Sequence, residues 1–430
     1  MSHPLPVTPV EATISAAEAA ATDWEAIVIG AGPAGSAAAI RLASRGLRVL
    51  LIDAAAMPRP KLCGCCLSVA AVEELAAVQK VLTCGRAAAG LVKLPQPLPL
   101  GRVRLASAAV TAALPLPGGG VISREALDTA AVRAAIAAGA AWLPETRVMS
   151  VTEIAAAARV TMIAGTALSR RTEQVVASAG LVIVAAGLAD TVRIAAGEGS
   201  DRKQITPGSR LGLGATLPPA AGGPPPGELV MAVSRHGYCG LVRLEDGRVD
   251  IAAAVDRALV ARAGGPALAL MKLLADAGGY QAAGLPADAD AWLAAAAIRG
   301  TPPLTRRQPV ASAGGRILRV GDAAGYVEPF TGEGMGWALA SARLLDETVG
   351  RALPAAGRLG DSPRKAAVGY ALVHRRHFAV HHARCRRVAL AVRQSWLVGP
   401  ALRLARLAPA VAARVVPLVV GAAARGKAHG

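Results

Sequence analysis

AIVIGAGPAGSAAAIRLASRGLRVLLID, residues 26 to 53, is the stretch on which the fold turns. AIVIG is a short apolar run of β-type residues, AGPAGSAAAIRLASRG has helical period, and LRVLLID is a second apolar run ending on an acid. Together they predict a strand, a crossover helix and a parallel strand. The glycines stand where such a unit needs bare backbone. Gly30 permits a tight turn, Gly32 lets a diphosphate approach the chain, and Gly35 lets helix and strand pack closely, with the helix start presenting unpaired amides to an anion. Asp53, closing the second strand, is placed to accept from both ribose hydroxyls. This unit predicts a Rossmann-type dinucleotide site and does not by itself separate FAD from NAD.

Further elements extend the same sheet. SREALDTAAVRAAIAAGA (123 to 140) reads as a helix capped by Ser123, while LVIVAAG (181 to 187) and RILRVGD (316 to 322) read as buried parallel strands. The texture changes over residues 91 to 121 and 205 to 256, where LGLGATL, ELVMAVS and RVDIAAAVD alternate with Gly and Pro turns and predict half-buried antiparallel strands. The fold class is therefore α/β with an α+β insert. Residues 24–90, 121–204 and 300–350 form a discontinuous FAD-binding domain, 91–120 and 205–299 an inserted β-sheet substrate domain, and 351–430 a basic helical section. Residues 1–23 read as a disordered lead rather than a signal peptide.

GDAAGYVEPFTGEGMG (321 to 336) sets Asp322 beside a glycine-rich passage that opens a helix. Bare backbone beneath a second helix start suits a planar cofactor lying on the chain, with Asp322 holding a polyol hydroxyl. That favours FAD over NAD.

Composition narrows the function further. The chain has 430 residues, a net charge of +18 and no acid after Asp361, against thirteen Arg and Lys from Arg364 onward. Nucleic-acid binding is not expected, because the basic residues lack the aromatic platform that stacks bases. The six cysteines are sparse, which suits free thiols in a reducing cytosol. Arginines interrupt every late apolar run, so no spanning helix is predicted and the expected location is cytoplasmic, with membrane association on the cytoplasmic face as an option.

At this point the chain resembles the FAD-dependent oxidoreductases of the para-hydroxybenzoate hydroxylase fold, in their geranylgeranyl-reductase-like branch. GAGPAG, PRPKLCG (58 to 64), SREALD (123 to 128) and GDAAGYVEPFTGEGMG carry the resemblance, in the family's order, over residues 24 to about 350. The resemblance implies that Gly30, Gly32, Ala34, Gly35 and Asp53 hold the ADP half and that Val148 meets the adenine. It implies that Arg124 reaches the phosphate and ribityl region, that Asp322 holds the ribityl chain, and that Gly332, Gly334 and Met335 meet the flavin edge. Cys63 and Gly64 would lie beside the isoalloxazine ring, and Tyr238 would stand on the substrate side, so Tyr238 and Cys63 are the candidate catalytic residues. NAD(P)H or another external donor would re-reduce the flavin.

Two positions depart from the family. Ala186 stands where an acid is common after the middle strand, and Gly240 where reductases often carry Trp. CGCC (63 to 66) admits three readings: a redox-active Cys63–Cys66 pair, a metal site, or a loop of small residues shaped to approach the ring. No metal is expected. His374, His377 and His381 share one helix face among arginines and read as part of a cationic surface. Apolar stretches punctuated by single arginines over 384 to 426 suggest helices that cap the core or touch a membrane. The expected chemistry is hydride transfer to a carbon-carbon double bond of a lipophilic, prenyl-like substrate. An aromatic or polyketide hydroxylase and an inactive flavin-binding protein are the alternatives, and neither the lysine segment nor the paired tryptophans of halogenases are recognisable.

Overall fold

A computed structural model describes residues 8–84, 92–108, 110–165, 173–195, 203–328, 330, 332–350, 363–408, 410–412 and 414. Within these, the first sheet is built around the strand Asp23–Ile29, which pairs parallel with Val49–Ile52 on one side and with Glu173–Val184 on the other. The helix Pro33–Ser44 crosses between the first two strands, as the glycine unit predicts. Ala141–Leu143 extends the parallel arrangement beyond Val49–Ile52, and Ile317–Arg319 lies parallel to Glu173–Val184.

The middle strand is longer than the sequence suggests. Its twelve residues serve two partners: Glu173–Ala179 pairs antiparallel with Ala158–Ala164, whereas Ser178–Val184 pairs parallel with the first strand. Its burial pattern shows the change, alternating over the first half and continuous over the last four residues, as expected where a strand passes from a half-exposed ribbon into a sheet covered on both faces.

The second sheet has seven strands in the order Arg299–Pro303, Leu211–Leu217, Val249–Val255, Gly237–Arg243, Glu228–Ser234, Arg102–Ser107 and Val110–Pro115. It is not wholly antiparallel as expected: Glu228–Ala232 runs parallel to Arg102–Ala106, because the chain enters both strands from the same end after separate excursions. The sheet also takes in Arg299–Pro303, so residues 300 to 303, expected in the return to the nucleotide domain, pair with the insert. One face carries four helices that the turn signals hid, Arg257–Ala263, Pro266–Asp276, Gly279–Ala283 and Ala289–Ala295. Leu259, Leu270, Leu273 and Leu274 pack there against Leu213, Leu241 and Ile251. The other face looks toward the nucleotide domain.

The expectation of a disordered lead fails from residue 8 onward. Ser15 and Glu18 form a reciprocal capping box on the helix Ala16–Ala21. Val10 is buried, its amide donates to the Met57 carbonyl, and its own carbonyl accepts from the Trp142 indole. Residues 1 to 7 lie outside the described residues. At the other end, the helix Pro363–Arg393 and the helix Ser395–Leu407 form the C-terminal section. Among the described residues no single helix is long and apolar enough to cross a membrane; only the pair Arg257–Ala263 and Pro266–Asp276, bent by 107°, passes on length and composition, and its leucines are buried against the second sheet.

Candidate active site

A cleft of about 790 Å³ runs between the two sheets, from Gly30 and Asp53 at one end, past Asp322 and Gly334, to Tyr238 and Gly240 at the other. Of the predicted site residues, all but Gly35 line it.

The nucleotide end is set by backbone contacts. The Gly30 amide donates to the Ile52 carbonyl at 2.7 Å, which locks the turn to the second strand. A Cβ on Gly35 would lie 1.8 Å from the Gly30 carbonyl oxygen, so its bareness lets the helix sit on the turn rather than meet a ligand. Asp53 is already engaged: Oδ2 accepts from the Ala31 amide at 2.7 Å and Oδ1 from the Ala55 amide at 3.0 Å. A carboxylate offers about four acceptor directions, so capacity remains for a ribose hydroxyl. Gly32 is the N-cap of the helix Pro33–Ser44 with no side-chain cap, and Arg124 and Arg59 lie 3.4 and 4.0 Å from where its Cβ would stand. An open helix start facing two guanidinium groups is a site for a diphosphate.

Arg124 is held firmly in place at this end of the cleft. It follows the N-cap Ser123, whose Oγ accepts from the Ala126 amide, and its guanidinium donates twice to the buried Asp128, at 2.9 and 2.8 Å. Arg59 was not foreseen as a site residue. It donates to Asp53 at 3.3 Å and lies 3.6 Å from Asp128, and the signal for it was its place in PRPKLCG (58 to 64), six residues after the ribose acid. Lys61, also unforeseen, lines the same cleft, where burial, reinforced by Arg59 and Arg124, lowers its pKa.

The passage after Asp322 divides its glycines between two tasks. A Cβ on Gly321 would lie 2.8 Å from Ala34, and one on Gly336 would lie 3.2 Å from Ala71, so these two allow helices to pack. Gly332, Gly334 and Met335 do line the cleft, at the start of the helix Gly334–Leu345. The expectation that all this bare backbone lies under a flavin is therefore corrected for Gly321 and Gly336. Burial pushes the Asp322 carboxyl up to about 6, with Arg124 and Arg306 pulling against it. Arg306 is buried and donates to the Gly187 carbonyl at 2.7 Å and to the Leu188 carbonyl. Where the family's acid is replaced by Ala186, a guanidinium thus holds the following loop by its carbonyls.

The cysteine loop lies midway along the cleft. The Cys65 thiol donates to the Cys63 carbonyl at 3.9 Å, and the neighbouring Cys65 thiol, aided by the Arg124 guanidinium, brings the Cys63 pKa down to about 6 against the effect of burial. Burial pushes the Cys66 thiol up, so Cys63 and Cys66 are not matched as an exchanging pair. All six cysteines are free. Among the described residues no group of three or more His, Cys, Asp or Glu is arranged to hold a metal ion.

At the far end the second sheet supplies a floor of small residues. Side chains alternate across a strand, so in Gly237–Arg243 the residues Cys239 and Leu241 face the covering helices while Tyr238 and Gly240 face the cleft. Ala252 and Ala254 pair with Gly240 and Tyr238 and line the cleft too. The Tyr238 ring is fixed edge-on by Phe330 at 4.9 Å and lies beneath the Arg210 guanidinium at 5.9 Å. Burial, with Glu328 nearby, raises its pKa well above the ordinary phenol range, so Tyr238 can donate a proton in a hydrogen bond but cannot serve as a base. Arg210 and Arg393 both donate to the buried Glu328, at 3.1 and 3.3 Å, which ties the long C-terminal helix to this wall.

The histidines are corrected as well. His374 is buried against Tyr370 and Phe378, and burial lowers its pKa to about 3 and those of His377 and His382 to about 4. These three are neutral packing residues, not part of a cationic face.

A sequence profile of the NAD(P)-binding Rossmann-like domain matches residues 28–85. Menaquinone reductase of Mycolicibacterium smegmatis is 52% identical over 54 residues, 13% of this chain and 13% of that one. Its Mycobacterium tuberculosis counterpart is 55% identical over 51 residues, 12% of each. The matched segment thus spans about an eighth of these curated relatives. Among solved structures, the myxobacterial chondrochloren halogenase CndH, described as a variant of FAD-dependent halogenases, superposes with a TM-score of 0.64 at 19% identity, covering 84% of this chain and 81% of that one. The flavin-dependent brominase Bmp2 gives 0.65 at 15%, covering 93% and 94%. A flavoprotein/dehydrogenase from Cytophaga hutchinsonii gives 0.63 at 13%, covering 93% of each. The fold is that of the FAD-dependent oxidoreductases. In this flavoenzyme fold the cradle at Gly32, Arg59 and Arg124, the carboxylates of Asp53 and Asp322, and the helix start at Gly334 are spaced along one cleft, as FAD requires.

Proposed function

We propose that this FAD-dependent oxidoreductase reduces a carbon-carbon double bond in a lipophilic, prenyl-like substrate. One observation carries the reading: the cleft continues without a break from the dinucleotide cradle into a chamber whose floor is Gly212, Gly240, Ala252 and Ala254, walled by Leu229 and Met231. The floor itself is uncharged and leaves ample room for an aliphatic chain, with Arg299 lining the same cleft at its margin. The short match to menaquinone reductases supports a lipid that carries isoprenoid units.

FAD, when bound, supplies the hydride, and NAD(P)H or another external donor replenishes it. The chain's residues do the rest. Asp53 and the Gly32 helix start anchor the nucleotide half; Asp322 and the Gly334 helix start fix the other half. The backbone amides at Gly334 and Met335 favour negative charge where it gathers on reduction. The apolar chamber excludes water and orients the chain, and Tyr238 holds its phenolic proton toward the cleft wall.

The test is anaerobic turnover of the dithionite-reduced protein with geranylgeranyl lipids and with menaquinone, followed by mass spectrometry after re-exposure to air. The expected product keeps two added hydrogens, because a saturated bond survives air whereas a quinol reoxidises. Recovery of every acceptor at its original mass after air, as a reoxidised quinol or an inactive protein gives, or an oxygenated product formed only in a parallel run with oxygen, as a hydroxylase gives, would each overturn the reading.

A further inference from the structure

The helix Ser395–Leu407 is apolar on both sides, and only one side is covered. Val398 and Ala405 pack on the cluster that includes Val103, Leu114, Met231 and Tyr238, and Leu402 is buried, so the inner face covers this side of the second sheet. Outward stand Trp396, 71% exposed, Leu404, 63%, and Leu407, 84%. Trp396, Pro400, Leu404 and Leu407 recur at four-, four- and three-residue steps and therefore form one stripe along the helix. Leu390 at the end of the preceding helix and Val411 just beyond this one are exposed at 62% and 57%. A soluble surface scatters such residues singly; a contiguous row marks a contact.

Charge decides the occupant. Arg403 and Arg406 are exposed on this same helix, and Arg387 and Arg414 are exposed on either side of it. The chain contains no acid after Asp361. A second copy of the chain would bring the same acid-free, arginine-bearing face against itself, and a two-fold contact needs a patch complementary to its own image. An apolar stripe flanked by arginines instead matches the boundary of a bilayer with anionic headgroups, where leucine and tryptophan enter the acyl layer and each cation adds attraction.

We infer that the outer face of Ser395–Leu407 docks on an anionic lipid bilayer, with its inner face held on the cluster of Val103, Leu114, Met231 and Tyr238. The docking stands on the helix itself. Its use as an entry route for substrate rests on the function proposed above.

The experiment is co-sedimentation of the full-length, FAD-loaded protein with vesicles of mixed phosphatidylglycerol and phosphatidylcholine and with vesicles of phosphatidylcholine alone, alongside the paired variant Leu404→Glu, Leu407→Glu. The expected result is binding to the anionic vesicles at least about tenfold stronger than to the neutral ones, lost about tenfold or more in the variant, with the variant's flavin content and melting temperature unchanged. Reduced salt sensitivity in Arg403→Gln, Arg406→Gln would agree. Equal binding to both vesicles, no binding to either, or undiminished binding by the variant would overturn the inference. So would a dimer abolished by the variant without vesicle binding, which would assign the face to a second copy, or vesicle binding that appears only after removal of residues 415–430, which would assign it to the chain's own tail. Because sedimentation needs no turnover, a docked protein that reduces no lipid would refute the function and leave the docking surface standing.

Discussion

Gly35→Ala is expected to yield a protein that melts about 3 °C lower and leaves purification with little flavin. A Cβ at residue 35 would stand 1.8 Å from the Gly30 carbonyl oxygen and 3.1 Å from the Ala185 Cβ. The first obstacle is backbone, which cannot rotate away, so the helix Pro33–Ser44 must lift from the strand Asp23–Ile29. Gly30 leaves no slack either: its φ is +102° and its own Cβ would lie 2.5 Å from the Ala185 carbonyl oxygen. Displacing that helix costs about 3 kcal/mol, which for a chain of 430 residues corresponds to a melting shift of about 3 °C. It also withdraws the helix start from the diphosphate. Gly101→Ala is the matched control, because an added Cβ there meets nothing within 4 Å. Calorimetry and the flavin-to-protein absorbance ratio check both. A Gly35→Ala protein with normal melting and full flavin would show that the close approach of turn and helix is not what forms the cradle.

Gly240→Trp is expected to separate cofactor from substrate. A Cβ at residue 240 would lie 3.2 Å from the Met231 Sδ and 3.6 Å from Leu229, both cleft residues. Met231 is flexible enough to yield to a methyl group, so Gly240→Ala should keep activity within a few fold. An indole on the same bond fills the chamber. We expect kcat/KM for the lipid acceptor to fall about 100-fold, roughly 2.7 kcal/mol of transition-state stabilisation, while the flavin stays bound, since Gly240 stands at the opposite end of the cleft from Gly30 and Asp53. Unchanged kcat/KM in the tryptophan variant would place the substrate elsewhere.

The nucleotide end of this site was legible in the sequence because its determinants are local. Gly30, Gly32, Gly35 and Asp53 sit within a single βαβ unit whose geometry is fixed by short-range backbone constraints, and the structure places them as that unit requires. Asp322, Gly334 and Met335 were legible for the same reason, being one acid and one helix start. What escaped was non-local. Arg59 and Arg306 act by folding back onto Asp53 and onto the Gly187 and Leu188 carbonyls, contacts that no spacing announces. The glycines at 321 and 336 read as flavin contacts and turned out to meet Ala34 and Ala71, since bare backbone looks the same whether a ligand or a helix approaches it. The helices over residues 257 to 295 were missed because their short lengths and frequent Gly and Pro resemble turn signals between strands. The histidines misled for a reason of burial. Arginine neighbours along the chain suggested a cationic face, yet His374 and Phe378 turn inward while the exposed residues lie on the opposite side of the same helix.

The Cys63 thiol shows the limit of a spacing argument in another way. CxxC spacing pointed to Cys66, yet both thiols are free, and Cys65, at a positive φ of +51°, turns its thiol to the Cys63 carbonyl.

The central claim is that one dinucleotide spans the cleft from Asp53 to Gly334. Mass spectrometry of the small molecule released by heat from the purified full-length protein, with its molar ratio to protein, tests it most directly. The account predicts FAD at close to one per chain, with Asp53→Ala and Asp322→Ala each lowering that ratio. A colourless, folded protein that takes up no FAD when it is added, or one that releases only a nicotinamide dinucleotide, would contradict it.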